Sequence, residues 1–244
     1  MKFRNFTIAV LSLLIISAVA SAHPFDQTYD SAVEALDTYR ALIKDYPDDL
    51  ELYYLLGDML IMANELEEAE EKFMYVLDKD EHYDMAWYKL SEIYYREKDY
   101  KKALEPLQNM TEKSLQDEKV IAEATIYLRL EDFEKVIELS EEAIEIDELN
   151  PGGWLHKGLA KNEMGEHTEA IDLIFKSLSM DPGQPLVYEW FRDIIREHLE
   201  PEKQHTVLKK LYDLIPYDTP VAQQIIRDIY HIKRRMKEEN TEDK

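Results

Sequence analysis

Seven histidines and 52 aspartates and glutamates make up the chain's stock of proton-transfer and metal-binding groups. The histidines (His23, His82, His156, His167, His198, His205, His231) are scattered, and none forms an H-E-x-x-H pair or another metal-ligand spacing. His198 and His205 are seven apart, but Pro201 between them puts them on different helices. His23 is the exception in kind. As a chain terminus it would offer an amine and an imidazole to a metal such as copper, although Pro24 removes the next amide. No Ser–His–Asp spacing, P-loop or dinucleotide fingerprint occurs. The absence of cysteine excludes disulfides, thiolate metal sites, iron–sulfur clusters and thiol catalysis. No catalytic residue, metal site or cofactor is expected.

Carboxylate pairs are abundant, so they discriminate little. Glu67, Glu68, Glu70 and Glu71, and Glu138, Glu141, Glu142 and Glu145, read as solvated helix faces, with Glu68/Lys72 and Glu131/Lys135 as i,i+4 supports. With 29 Lys and Arg the net charge is −23 and the pI about 4.6, which argues against a nucleic-acid partner.

The elements that must carry any site follow from an internal period. Ala35, Ala69, Ala103, Val136, Ala170 and Gln204 lie 34, 34, 33, 34 and 34 residues apart. Four residues after them stand Tyr39, Phe73, Leu107, Ser140, Ile174 and Leu208, and twelve after them Pro47, Glu81, Leu115, Glu148, Pro182 and Pro216. The preceding half-units repeat as well. Tyr53-x2-Leu56-Gly57-x2-Leu60 is followed by Trp87-x2-Leu90-Ser91-x2-Tyr94, Val120-x2-Glu123-Ala124-x2-Tyr127, Trp154-x2-Lys157-Gly158-x2-Lys161 and Tyr188-x2-Phe191-Arg192-x2-Ile195. Each unit reads as two helices, A then B, with small residues where they cross. The pattern predicts helices at 28–45, 50–62, 66–79, 84–96, 100–112, 117–129, 133–147, 151–163, 167–180, 185–198, 201–214 and 219–238.

These motifs resemble the tetratricopeptide repeat, a 34-residue helix–turn–helix with the pattern W-x2-L-G-x2-Y, A-x3-F, P. The resemblance covers about residues 30–218, with departures at Lys157, Lys161, Arg192 and Gln204. It implies an all-α solenoid, a right-handed superhelix of antiparallel helix pairs. The units would be a half unit at 28–49, whole units at 50–83, 84–116, 117–150, 151–184 and 185–218, a capping helix at 219–238 and a disordered tail at 239–244. The capping helix carries Arg227, Lys233, Arg234, Arg235 and Lys237, which complement its dipole or meet an acidic partner or anionic lipid.

The resemblance also implies that A helices line a concave groove for a protein or peptide. The residues placed there are Tyr54, Asp58 and Met62, then Tyr88, Glu92, Tyr95 and Arg96, then Ile121, Thr125 and Arg129, and last Leu155, Leu159 and Asn162. Tetratricopeptide domains that bind chaperones clamp a terminal carboxylate with Lys and Asn. Asp58 and Glu92 stand at those places here, so the expected ligand carries apolar and basic residues. Two other classes stay open: a helical enzyme acting on glycans, for which Asp58 and Glu92 are the candidate acids, and a structural module that self-associates through its irregular sixth unit. The oligomeric state is not legible.

The first 22 residues read as an address. Lys2 and Arg4 precede an apolar run from Phe6 to Ala20, and Ala20-Ser21-Ala22 is a small-x-small cleavage site before His23. Removal of the segment takes the charge from −23 to −25. The expectation is an exported protein, periplasmic or extracellular in a bacterium and secretory in a eukaryote, touching a membrane only if the segment is retained as an anchor. Asn109-Met110-Thr111 is a glycosylation sequon.

Overall fold

The structure, a computed structural model, describes residues 25–242. The expected signal segment and its cleavage residues Ala20, Ala22 and His23 lie outside the described residues. Twelve α-helices and one 3-10 turn are present, and no strand occurs among the described residues. No described helix is long and apolar enough to cross a membrane.

The chain forms two compact units that divide at Lys113–Ser114. The first contains α1 (Phe25–Asp45), α2 (Leu50–Met62), α3 (Leu66–Lys79), α4 (Asp84–Arg96) and α5 (Tyr100–Leu107). The second contains α6 (Gln116–Arg129), α7 (Phe133–Ile146), α8 (Pro151–Glu163), α9 (His167–Met180), α10 (Pro185–His198), α11 (Pro201–Leu214) and the capping helix α12 (Pro220–Glu242). Within each unit consecutive helices pack as antiparallel pairs.

The repeat motif is visible as geometry. Gly57 on α2 is small because the Phe73 ring of α3 lies against it: a Cβ there would sit 2.7 Å from Phe73 Cζ. Gly158 meets Ile174 in the same way, at 2.7 Å. Ala69, Ala103, Val136 and Ala170 are fully buried at the facing positions. The A–B turns repeat too. Asn64, Lys98, Glu131 and Gly165 all have left-handed backbones (φ 62°, 66°, 60° and 84°), 34, 33 and 34 residues apart. After each, the next N–H bonds back into the helix, as from Glu65 to Leu60 (2.9 Å) and from Glu166 to Lys161 (2.8 Å), which closes a Schellman turn.

Several expectations are corrected. The helix predicted at 100–112 stops at Leu107: Pro106 supplies no N–H, and the chain then turns through Gln108–Met110. Asp84, only 2% exposed, holds that turn by accepting from the N–H groups of Thr111 (2.6 Å) and Glu112 (2.5 Å). The final helix runs to Glu242, past 238 and into the stretch expected to be disordered. Glu131 is not a helical i,i+4 partner, because its left-handed backbone precedes α7; Lys135 instead pairs with Glu138 at 2.8 Å. Lys157 and Lys161, which break the repeat pattern, are half-buried and reach Glu141 (2.8 Å) and Glu166 (2.8 Å).

Candidate functional site

In the first unit the expected groove residues are largely engaged by neighbouring side chains. Tyr54 packs edge-on to Phe73 and tilted against Tyr83, with ring centroids 5.7 and 5.4 Å away. Burial raises its hydroxyl pKa, and the neighbouring Lys89 opposes the rise. Tyr95 packs against Tyr100, Tyr88 is half-buried, and Met62 stands out at 59% exposure. Asp58 and Glu92 do not present unmatched negative charge. Lys89 Nζ lies 2.5 Å from Asp58 and 3.3 Å from Glu92, and Arg96 holds Glu92 at 2.7 Å. Burial works to lower the Lys89 ammonium pKa, but the Asp58 hydrogen bond and the Glu92 charge outweigh it and leave it raised. Two cations face two carboxylates, so the repulsion expected for an acidic ligand is cancelled here. The same pairing leaves neither Asp58 nor Glu92 as the isolated acid that glycan hydrolysis needs.

The second unit divides the expected residues. Leu155 belongs to the core with Ile171 and Ile174, and Ile121 packs onto the cluster of Val120 and Ala124. Thr125 faces a buried imidazole. His156 Nδ1 lies 2.8 Å from the Gly152 carbonyl, which can only accept, so Nδ1 carries the proton. The Thr125 hydroxyl lies 2.8 Å from both His156 Nε2 and the Ile121 carbonyl, so its single proton is shared between two acceptors. Burial holds the imidazole below the ordinary histidine value, against the opposing pull of the Gly152 carbonyl.

A pH prediction follows. Below the ordinary value of 6.5 the unfolded chain takes up this proton before the folded one does. Stability is therefore full above that pH and falls as the pH drops towards the depressed folded value, by at most about 1.4 kcal/mol per pH unit. Urea midpoints of wild type and His156→Gln between pH 7.5 and 5.5 should diverge in that direction. Parallel curves would show that His156 does not titrate across folding.

Arg129, Leu159 and Asn162 do come together. They line a cleft of about 650 Å³ with Leu128, Glu131, Phe133, Glu163, Trp190, Asp193 and Ile194. The A helices α6, α8 and α10 supply most of it, and the α6–α7 turn and the first residue of α7 complete it. Asn162 is fixed by His167, whose Nδ1 lies 3.0 Å from Oδ1, and His167 stacks on His198 at 3.4 Å. Trp190 is 46% exposed, a large aromatic face presented to the cleft. Leu128, Phe133, Leu159 and Ile194 are the apolar lining, and the charged lining counts three carboxylates (Glu131, Glu163, Asp193) to one guanidinium (Arg129), with Asp193 paired to Arg196 at 2.9 Å. Trp190 and the three acids were missed by the repeat register. The signal for Trp190 was present, because Val187, Tyr188, Phe191, Ile194 and Ile195 already fill the buried stripe of α10 and leave Trp190 outside it. No group of three or more His, Asp or Glu side chains able to hold a metal occurs among the described residues.

The tetratricopeptide-repeat family model matches residues 34–84, and a second model of the same description matches 85–113. Among curated protein sequences none matches. Among solved structures, yeast Tom70 aligns at 17% identity and TM-score 0.64, over 91% of this chain and 47% of that one. A tetratricopeptide-repeat protein of Parabacteroides merdae aligns at 14% identity and TM-score 0.58, over 83% and 93%. YrrB, described as having an unusual peptide-binding site, aligns at 20% identity and TM-score 0.50, over 78% and 97%.

Proposed function

We infer that this tetratricopeptide-repeat protein, recognised as such over residues 34–113, is a non-catalytic scaffold that holds a peptide segment in the α6–α8–α10 cleft. The observation that carries the reading is Trp190, a half-exposed indole in a cleft it shares with Leu159 and Ile194, where Glu131 and Glu163 outnumber Arg129 and Asp193 is already paired with Arg196. That combination takes an apolar side chain next to a Lys or Arg. The peptide-binding site named for YrrB is the same class of ligand on a similar fold. The preference for basic residues rests on this cleft and no longer on Asp58 and Glu92. Export belongs to the same proposal and rests on residues 1–22 alone; mass spectrometry of the secreted chain should find it beginning at His23.

The cleft is tested by fluorescence anisotropy on the full chain with two labelled peptides, one alternating Leu with Lys and one alternating Leu with Glu. The basic peptide should bind more tightly, and Trp190→Ala should weaken it by about 30-fold, the size of a buried aromatic anchor at an interface. Equal binding of the two peptides, or no effect of Trp190→Ala, overturns the assignment.

A further inference from the structure

Both departures of the sixth repeat face one cavity. Where the other units carry Gly, Ser or Ala, α10 has Arg192; where they carry Ala or Val, α11 has Gln204. These larger side chains stand where an A and a B helix normally cross closely, and α10 and α11 pack less intimately than the preceding pairs. Their turn also differs. Leu199 is extended ahead of Glu200 and Pro201, and no left-handed residue closes it. The space opened is a cavity of about 310 Å³ between α10, α11 and α12 with an aliphatic floor.

Its polar lining is cationic. Arg192, Arg196 and Arg235 face it, with the His231 ring beside them, against a single carboxylate, Asp228. That carboxylate is already engaged by the Tyr188 hydroxyl, which donates to it at 2.6 Å. Arg235 donates to the amide oxygen of Gln204 at 3.2 Å, and it has no ion pair among the described residues. Gln204 is itself held, its amide nitrogen donating to the Leu199 carbonyl at 2.6 Å, so it fixes Arg235 in place. Asp193 pairs with Arg196 at 2.9 Å and lies 3.7 Å from the Arg192 Nε, which is buried without a hydrogen-bond partner. Counting Asp193, the guanidinium groups still exceed the carboxylates by one, in a chain whose net charge is −23.

We propose that this cavity is a binding site for a small oxyanion, a phosphate or a carboxylate, read by the guanidinium forks of Arg192, Arg196 and Arg235. Planar forks with free N–H groups suit either oxyanion, and the buried Arg192 Nε supplies a donor whose acceptor is missing. The break in the repeat pattern at Arg192 and Gln204 is then the construction of a site rather than a weakened repeat. The cavity and the peptide cleft meet at the Asp193–Arg196 ion pair, but anion and peptide binding are read by separate titrations, so either can fail alone.

Calorimetric titration of the full chain with inorganic phosphate, and in parallel with succinate, at about 0.15 M ionic strength tests it, since free surface charges are then screened beyond about 8 Å. One saturable site per chain is expected for at least one of the two anions. Phosphate alone saturating assigns a phosphate ligand, and succinate alone a carboxylate. Arg235→Gln and Gln204→Ala should each weaken the binding at least tenfold. So should Arg196→Gln, a substitution on the exposed face of α10 that leaves the core intact. Arg234→Gln should not change it, because Arg234 pairs with Glu238 at 3.5 Å outside the cavity. Trp190→Ala should leave it intact. Saturation by neither anion, unchanged affinity in Arg196→Gln, or equal loss in Arg234→Gln overturns the proposal.

Discussion

Phe73→Ala should cost the first unit about 3–5 kcal/mol, the range for deleting a fully buried aromatic ring. Phe73 has no exposed surface, and its ring covers the Gly57 backbone on one side while Tyr54 meets it edge-on. The opposite fault, Gly57→Ala, should cost about 1–3 kcal/mol, because its new methyl would lie 2.7, 2.8 and 3.1 Å from three ring carbons of Phe73. The two faults share one space. In Gly57→Ala/Phe73→Leu the smaller side chain makes room for the methyl, so the double variant should lose at least about 1 kcal/mol less than the sum of its singles. Urea unfolding of the four proteins measures this. Strict additivity would mean that the glycine is small for some reason other than the ring.

Asp84→Ala should cost about 2–3 kcal/mol, an unusual amount for a residue at the first position of a helix. The reason lies 27 and 28 residues away, where the Thr111 and Glu112 N–H groups converge on one Asp84 oxygen. Without it the turn after α5 loses its anchor. Amide exchange at Thr111 and Glu112 should accelerate well beyond that of α4 itself. Asp84→Asn keeps an acceptor but not its charge, and should fall between the two. A loss under about 0.5 kcal/mol for the alanine variant would assign the turn to Pro106 and the local backbone bonds instead.

The contrast between these two residues shows what could be read in advance. Gly57, Ala69 and Phe73 recur in phase, and a residue type that recurs at one distance reports a packing contact repeated at that distance. Seven helices, among them 50–62, 66–79 and 185–198, therefore fall at their expected bounds. Lys89 and Trp190 occur once each, and Asp84 recurs only as Asp117. Lys89 meets Glu92 three positions along its own helix, as helical spacing allows, but its reach to Asp58, 31 positions away, does not follow from the repeat, because it depends on how far apart the two helices stand. The A-helix register placed Leu155 and Leu159 in the same groove. Only the packing of α8 separates Leu155, in the core, from Leu159, in the cleft wall. A repeat specifies what its copies share, whereas a binding site is made of what distinguishes one copy from the next.

The left-handed turn residues bear on how such a chain can lengthen. In the first unit Asn64 and Lys98, and in the second Glu131 and Gly165, place the backbone in one conformation at equivalent points. A segment cut from one such residue to the next starts and finishes in the same conformation, so a tandem duplication of 64–97 or of 131–164 hands the following helix the joint it had before. The turn at Leu199–Pro201 offers no such joint. New copies can therefore be spliced in ahead of it without disturbing the three helices around the arginine-lined cavity.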